Sequence, residues 1–200
     1  MKTLLSIILC FVTSISYSQW ILTPDGLASA EDSVKNYVVY EYDGINQVDL
    51  YKSVLFFIHE NYRSPKDVLS EIPPETITFR GFQPESIGVP RRNKTDRKIL
   101  GRYQFAYDLS YNITIQFKEN RIRINKPFFE CTTTSGGKKV TLPLSGKKKS
   151  FFITPVCVFS SKDGSVVEPD IKTQIETVFN RISIGVKNAP IAQIENDSEW

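Results

Sequence analysis

The chain has a single histidine, His59, and only three cysteines in 200 residues. Zinc centres and Ser-His-Asp triads are poorly served by one imidazole without clustered thiols or a nucleophile motif. The phosphate loop, the dinucleotide fingerprint and the nucleophile elbow are missing too. No residue therefore stands out as catalytic, cofactor-binding or metal-ligating, and the expectation is a protein that is not an enzyme and carries no cofactor. Spatial pairing of carboxylates is invisible in a sequence, so that one route to acid-base chemistry stays open. His59 itself, between Ile58 and Glu60, reads as a partly exposed helix residue. A formal net charge of +3 is too weak to imply a nucleic-acid partner. No apolar run reaches the ~20 residues of a membrane-spanning helix.

What is present begins with an export signal. Residues 1–18, MKTLLSIILCFVTSISYS, combine one lysine, an apolar run from Leu4 to Val12, and small residues at Ser16 and Ser18 ahead of Gln19. That pattern reads as a signal peptide, so an exported, periplasmic or extracellular, protein is expected. Cys10 follows Leu9 where a lipobox wants a small residue, which favours simple cleavage. The mature chain keeps Cys131 and Cys157, an even count in an oxidising compartment and a candidate disulfide.

Residues 19–36 mix Pro, Gly, Ala, Ser and charges without a sustained period, which suggests a flexible leader. The domain proper is expected over 37–187. Tyr37 to Tyr42 reads as a strand ended by Asp43-Gly44. Val48, Tyr51, Leu55, Ile58 and Tyr62 recur at helical spacing, with Leu50, Val54 and Phe57 widening the stripe, so this helix presses a broad face into a core. Asn46 is its candidate cap, and Pro65 forces a turn. Val68 to Ile72 and Thr76 to Gln83 flank Pro73-Pro74-Glu75 as a hairpin, and residues 84–102 read as a long basic surface loop. Unbroken alternation from Tyr107 to Phe117 marks a strand with one buried face. Lys118-Glu119-Asn120 turns it into Arg121–Asn125. Val140, Leu142 and Leu144 with Phe151 to Phe159 suggest an inserted hairpin. Ile171, Ile175, Val178, Phe179, Ile182 and Val186 make a last helix behind Asp170, followed by a flexible tail over 188–200.

This order of elements, together with Leu50-Tyr51, the turn Ser64-Pro65-Lys66-Asp67-Val68, the strand Ile77 to Gly81 and the run Phe117-Lys118-Glu119-Asn120-Arg121-Ile122-Arg123, resembles the bacterial domain of unknown function 4468. Glu119-Asn120 stands where that family has Asp-Gly. The resemblance implies an α+β, TBP-like fold in a secreted protein: a curved antiparallel sheet in β-α-β4-α order with an inserted hairpin and both helices on one face. It implies no activity and no functional residue.

Three functional readings remain at this point. The first is a non-catalytic envelope interaction module with an unidentified envelope protein or surface component as partner. The second is a carrier of a small apolar ligand between sheet and helix. The third, nucleic-acid binding by fold analogy, is disfavoured by export. For the first, alternation assigns Thr78, Arg80, Asn112, Thr114, Gln116, Arg121, Arg123 and Asn125 to the sheet face turned from the helices, where Arg80, Arg121 and Arg123 are the candidate anion-docking residues.

Overall fold

The structure, a computed structural model, describes residues 19–62, 69–90, 103–146 and 157–198. Its frame is a seven-stranded sheet. Along the main path the order is β3 (Tyr37–Glu41), β7 (Arg121–Asn125), β6 (Tyr103–Lys118), β5 (Thr76–Pro90) and β4 (Leu69–Ile72). β8 (Phe128–Ser135) joins β6 on the same edge as β7, and β9 (Lys138–Thr141) extends from β8. Every pairing in this sheet is antiparallel.

Helix α1 (Gln47–Asn61) starts where its cap requires: the Asn46 side chain accepts from the Asp49 amide at 2.9 Å and donates back to the Asp49 carboxylate at 2.6 Å. Leu50, Tyr51, Val54 and Ile58 form its buried stripe, while Val48 lies at the solvent edge. The second helix, α2 (Pro169–Ser198), begins with proline at its first position, where a missing amide removes no hydrogen bond. Asp170, the expected cap, is one residue inside.

Both helices cover one face of the sheet. Tyr51 of α1 meets the Phe117 ring edge-on at 5.6 Å, and Phe179 of α2 meets Tyr111 at 5.7 Å. Phe117 and Tyr111 are both odd-numbered residues of β6, so they point to the same side. The helices are also neighbours: the Phe57 ring lies 2.3 Å from where a Cβ on Gly185 would sit, so only glycine admits this approach. Ile77, Phe79, Ile113, Ile115, Ile122 and Ile124 complete the core beneath them.

Five expectations are corrected. The leader is structural: β1 (Trp20–Thr23) and β2 (Gly26–Ser29) make an antiparallel hairpin clasped to α2. Asn180 accepts from the Gln19 and Trp20 amides at 2.7 and 2.8 Å and donates to the Trp20 carbonyl at 3.1 Å. The fully buried Trp20 indole donates to Ser183 at 2.7 Å, which gives the segment an apolar anchor that composition alone hid. The long loop is shorter than expected, because β5 runs on to Pro90 with Ile87 and Val89 buried after a register shift between Gln83 and Ile87. Residues 91–102, which carry all of the basic side chains of that loop, lie outside the described residues.

Of the inserted hairpin, the turn from Lys147 and the strand from Phe151 to Val156 lie outside the described residues, and the described part is built differently. β9 folds back on β8 through Gly136 and Gly137, both at positive φ, and the two-residue strands β10 (Ser145–Gly146) and β11 (Phe159–Ser160) pair in parallel. The tail is helix through Ser198. Pro190 lies inside it, and beside the position where the ladder loses an amide the Tyr42 hydroxyl donates to the Lys187 carbonyl at 2.8 Å. Finally, Cys131 and Cys157 are both free and buried. Cys131 faces the core from β8, opposite Leu109 of β6, whereas Cys157 packs on Gly146 and donates weakly to its carbonyl at 3.6 Å.

Candidate functional site

Because both helices lie on one side, the even-numbered residues of β6 face the other. Cross-strand register builds two rows there. Arg80 of β5, Asn112 of β6 and Phe128 of β8 stand opposite one another, and so do Phe82, Ser110 and Glu130 one step along. The rows form a block whose corners alternate: Phe82 and Phe128 occupy one diagonal, Arg80 and Glu130 the other. These residues line a groove of about 310 Å³.

Three features separate this block from an ordinary solvated face. Phe82 and Phe128 are 63% and 69% exposed on a surface where alternation calls for polar residues. Arg80 and Glu130 enter no ion pair among the described residues. The Asn112 Oδ1 is closed from solvent and has no hydrogen-bond partner. An orphaned buried acceptor of this kind costs about 1–3 kcal/mol.

Glycine shapes the floor from behind. A Cβ on Gly81 would stand 2.0 Å from Cζ of Tyr111, so the residue must be glycine for the tyrosine ring to lie across it. The ring is then held edge-on between Phe79, at 6.4 Å, and Phe179, at 5.7 Å, which fixes the β5 backbone between Arg80 and Phe82.

The structure does not bring the three candidate arginines together. Arg80 shares a row with Asn112 and Arg123 one with Gln116. Four residues along the strand and two strands across put them about 17 Å apart. Arg121 is engaged with Glu41 at 3.4 Å, both side chains well exposed, and the Arg123 guanidinium lies 4.0 Å from the centroid of Tyr37. The exposed face itself is as alternation assigned it, with Thr78 and Thr114 hydrogen-bonded across it at 3.1 Å. What sequence reasoning missed is β8, and with it Phe128 and Glu130; the Phe128-Phe129 pair blurs the period-two pattern.

A second groove, of about 430 Å³, lies at Gln47, Lys118, Glu119, Asn120 and Arg121. Here Gln47 is committed to the Phe117 carbonyl at 2.8 Å and Asn120 holds Tyr42 and Ile45 through its backbone, so the groove is a structural junction. His59 is exposed on α1. Among the described residues, no three His, Cys, Asp or Glu side chains gather as metal ligands would. Burial pushes the Cys131 thiol up to about 12, which suppresses its thiolate at neutral pH.

The class these features define is an α+β domain that, among the described residues, has an antiparallel sheet, two helices on one face and a side-chain-built groove on the other. No family model matches the chain, and no curated protein does. Solved structures similar to it include a TBP-like protein of Parabacteroides distasonis, at 11% identity and a TM-score of 0.45 over 76% of this chain and 92% of that one. A DUF4468 family protein of Bacteroides ovatus is similar at 14% identity and a TM-score of 0.44, over 75% of this chain and 84% of that one. The second description names the family that the sequence resembles, and the first names the fold expected from that resemblance.

Proposed function

We propose that the chain is an exported, non-catalytic binding module that presents the open face of its sheet to a component of the cell envelope. The observation that carries this reading is the block at Phe82 and Phe128, where two exposed aromatic rings, two opposite charges with no ion pair among the described residues and a buried acceptor share one groove. Sites of this composition recognise ligands through apolar contact plus a few placed polar groups. Export rests on the reading of residues 1–18, which lie outside the described residues. No helix among the described residues is long and apolar enough to cross a membrane.

The carrier reading places its ligand between sheet and helices. That space is filled by Phe79, Tyr111, Phe117 and Phe179, none more than 4% exposed, so the open face is the better supported location.

The test is an NMR titration of isotope-labelled protein beginning at Gln19 against separated envelope fractions: peptidoglycan digests, envelope lipid vesicles and periplasmic solubles. Shifts are expected at the amides of Ser110, Asn112 and Glu130, and a Phe82→Ser, Phe128→Ser double variant should lose them. If every fraction leaves these amides unmoved, or moves a different face, the reading is wrong. Fractionation of the source cells checks export independently.

A further inference from the structure

Resting on the reading of this face as a binding surface, the chemistry of its corners names a ligand class: we propose a short zwitterionic peptide, of two or three residues with apolar side chains. The charges decide against the alternatives. A polyanion would meet the Glu130 carboxylate, a polycation would meet the Arg80 guanidinium, and a neutral ligand would leave both unpaired beside it. A molecule with opposite charges at its two ends satisfies both.

The spacing fits such a molecule. Two strands across and two residues along place the Arg80 and Glu130 backbones about 12 Å apart, and both side chains can lean inward. An extended tripeptide spans about 10 Å, and a dipeptide correspondingly less. Its carboxylate pairs with Arg80 in the two-pronged geometry that guanidinium favours, and its ammonium pairs with Glu130. Between the ends its backbone offers hydrogen-bonding groups to the Asn112 side-chain amide and to the Ser110 hydroxyl. Its apolar side chains settle on Phe82 and Phe128, along the other diagonal. A groove of about 310 Å³ is small enough that a ligand of this size fills it. Recognition here is through side chains, because the β6 backbone beneath the groove is already paired to β5 and β8 and offers no edge for strand addition.

The experiment titrates labelled protein beginning at Gln19 with alanyl-phenylalanyl-alanine in three forms: free ends, N-acetylated, and C-terminally amidated. The free form is expected to shift the Ser110 and Asn112 amides, with each cap weakening binding about fivefold, the upper range for an exposed ion pair. Arg80→Gln should abolish the penalty for amidation alone, and Glu130→Gln the penalty for acetylation alone. Both positions are exposed, so the fold should tolerate either change. Equal binding of all three forms overturns the proposal, and so does no shift at about 10 mM peptide, where even millimolar affinity saturates. If the peptides fail while an envelope fraction moves the same amides, the ligand class falls and the binding face stands. If both fail, both readings fall.

Discussion

Replacing Trp20 by alanine is the sharpest test of how the amino-terminal segment is held. The indole is fully buried and donates to Ser183 at 2.7 Å, at the point where the hairpin backbone is clasped by Asn180. Truncating a buried tryptophan removes about 3–5 kcal/mol, combining lost transfer energy with the cavity left behind. For a chain of 200 residues, each kcal/mol moves the midpoint of thermal unfolding by about 2–4 °C, so the variant should melt about 6–20 °C lower. Trp20→Phe separates the terms. It keeps most of the packing and leaves the Ser183 hydroxyl without its donor, so a smaller loss of about 1–3 kcal/mol is expected.

The assay is thermal unfolding followed by far-ultraviolet circular dichroism on protein beginning at Gln19. Val34→Ala serves as control, since that side chain is 84% exposed in the same amino-terminal stretch and should change stability by less than about 0.5 kcal/mol. A Trp20→Ala midpoint within about 2 °C of the parent would refute the reasoning, because the hairpin would then contribute nothing to the fold.

Gly81→Ala should destabilise by at least about 1–3 kcal/mol in urea titration, because the new methyl group collides with a Tyr111 ring that is only 4% exposed and cannot swing away. Burial pushes the Tyr40 hydroxyl from 10.0 to about 12, the neighbouring Ser183 opposing the shift. The unfolded state therefore ionises first, so the contribution is intact below pH of about 10 and is lost as the pH rises toward about 12, amounting to about 3 kcal/mol. Burial raises Tyr42, Tyr51, Tyr62, Tyr107 and Cys131 in the same direction, so Tyr40→Phe should make that limb of the stability-pH curve shallower without removing it, and an unchanged slope would refute the Tyr40 contribution. Thiol labelling at pH of about 8 should be slow in native protein and should count both Cys131 and Cys157 as free after unfolding without reductant; a count below two contradicts the free thiols of the fold. Arg121→Gln, which breaks an exposed pair with Glu41, should cost less than about 1 kcal/mol at low salt and nothing measurable at high salt.

The elements most legible in the sequence were those in which one period dominates. β3, α1 and β7 follow the alternation or helical spacing of Tyr37 to Tyr42, Gln47 to Tyr62 and Arg121 to Asn125 almost residue for residue. The misses have separate physical causes. In β5 the register shift between Gln83 and Ile87 adds two residues opposite β6 and Pro84-Glu85-Ser86 interrupts the alternation, so a search for an unbroken pattern stops at Gln83 although Ile87 and Val89 keep the buried parity of Ile77 and Phe79. In β8 the adjacent Phe128 and Phe129, then the adjacent buried Cys131 and Thr132, hide the strand. The amino-terminal hairpin had a usable signal in Pro24-Asp25-Gly26, a turn sequence with Gly26 at φ 103°, set between Trp20-Leu22 and Leu27. Its polar composition outweighed that signal. Past Lys187, Pro190 suggested an end that the buried Ala189 and the Tyr42 contact to the Lys187 carbonyl override.

The candidate site illustrates the converse relation between pattern and function. Alternation alone predicts that a sheet covered on one side is polar on the other, and Thr78, Thr114, Gln116 and Arg123 obey it. Such residues need no ligand, because water satisfies them. Phe82 and Phe128 disobey it, and they do so on the same face, one row apart, on either side of the strand that carries the orphaned Asn112 acceptor. Each departure is individually unfavourable in the unliganded state: the rings stay hydrated and the acceptor stays unpaired. Exposed apolar residues and closed-off polar atoms occur elsewhere too, as at Phe56, Ile72 and Asn125, but here two exposed rings share one groove with Arg80 and Glu130, which enter no ion pair among the described residues, so one ligand can meet apolar and charged groups together.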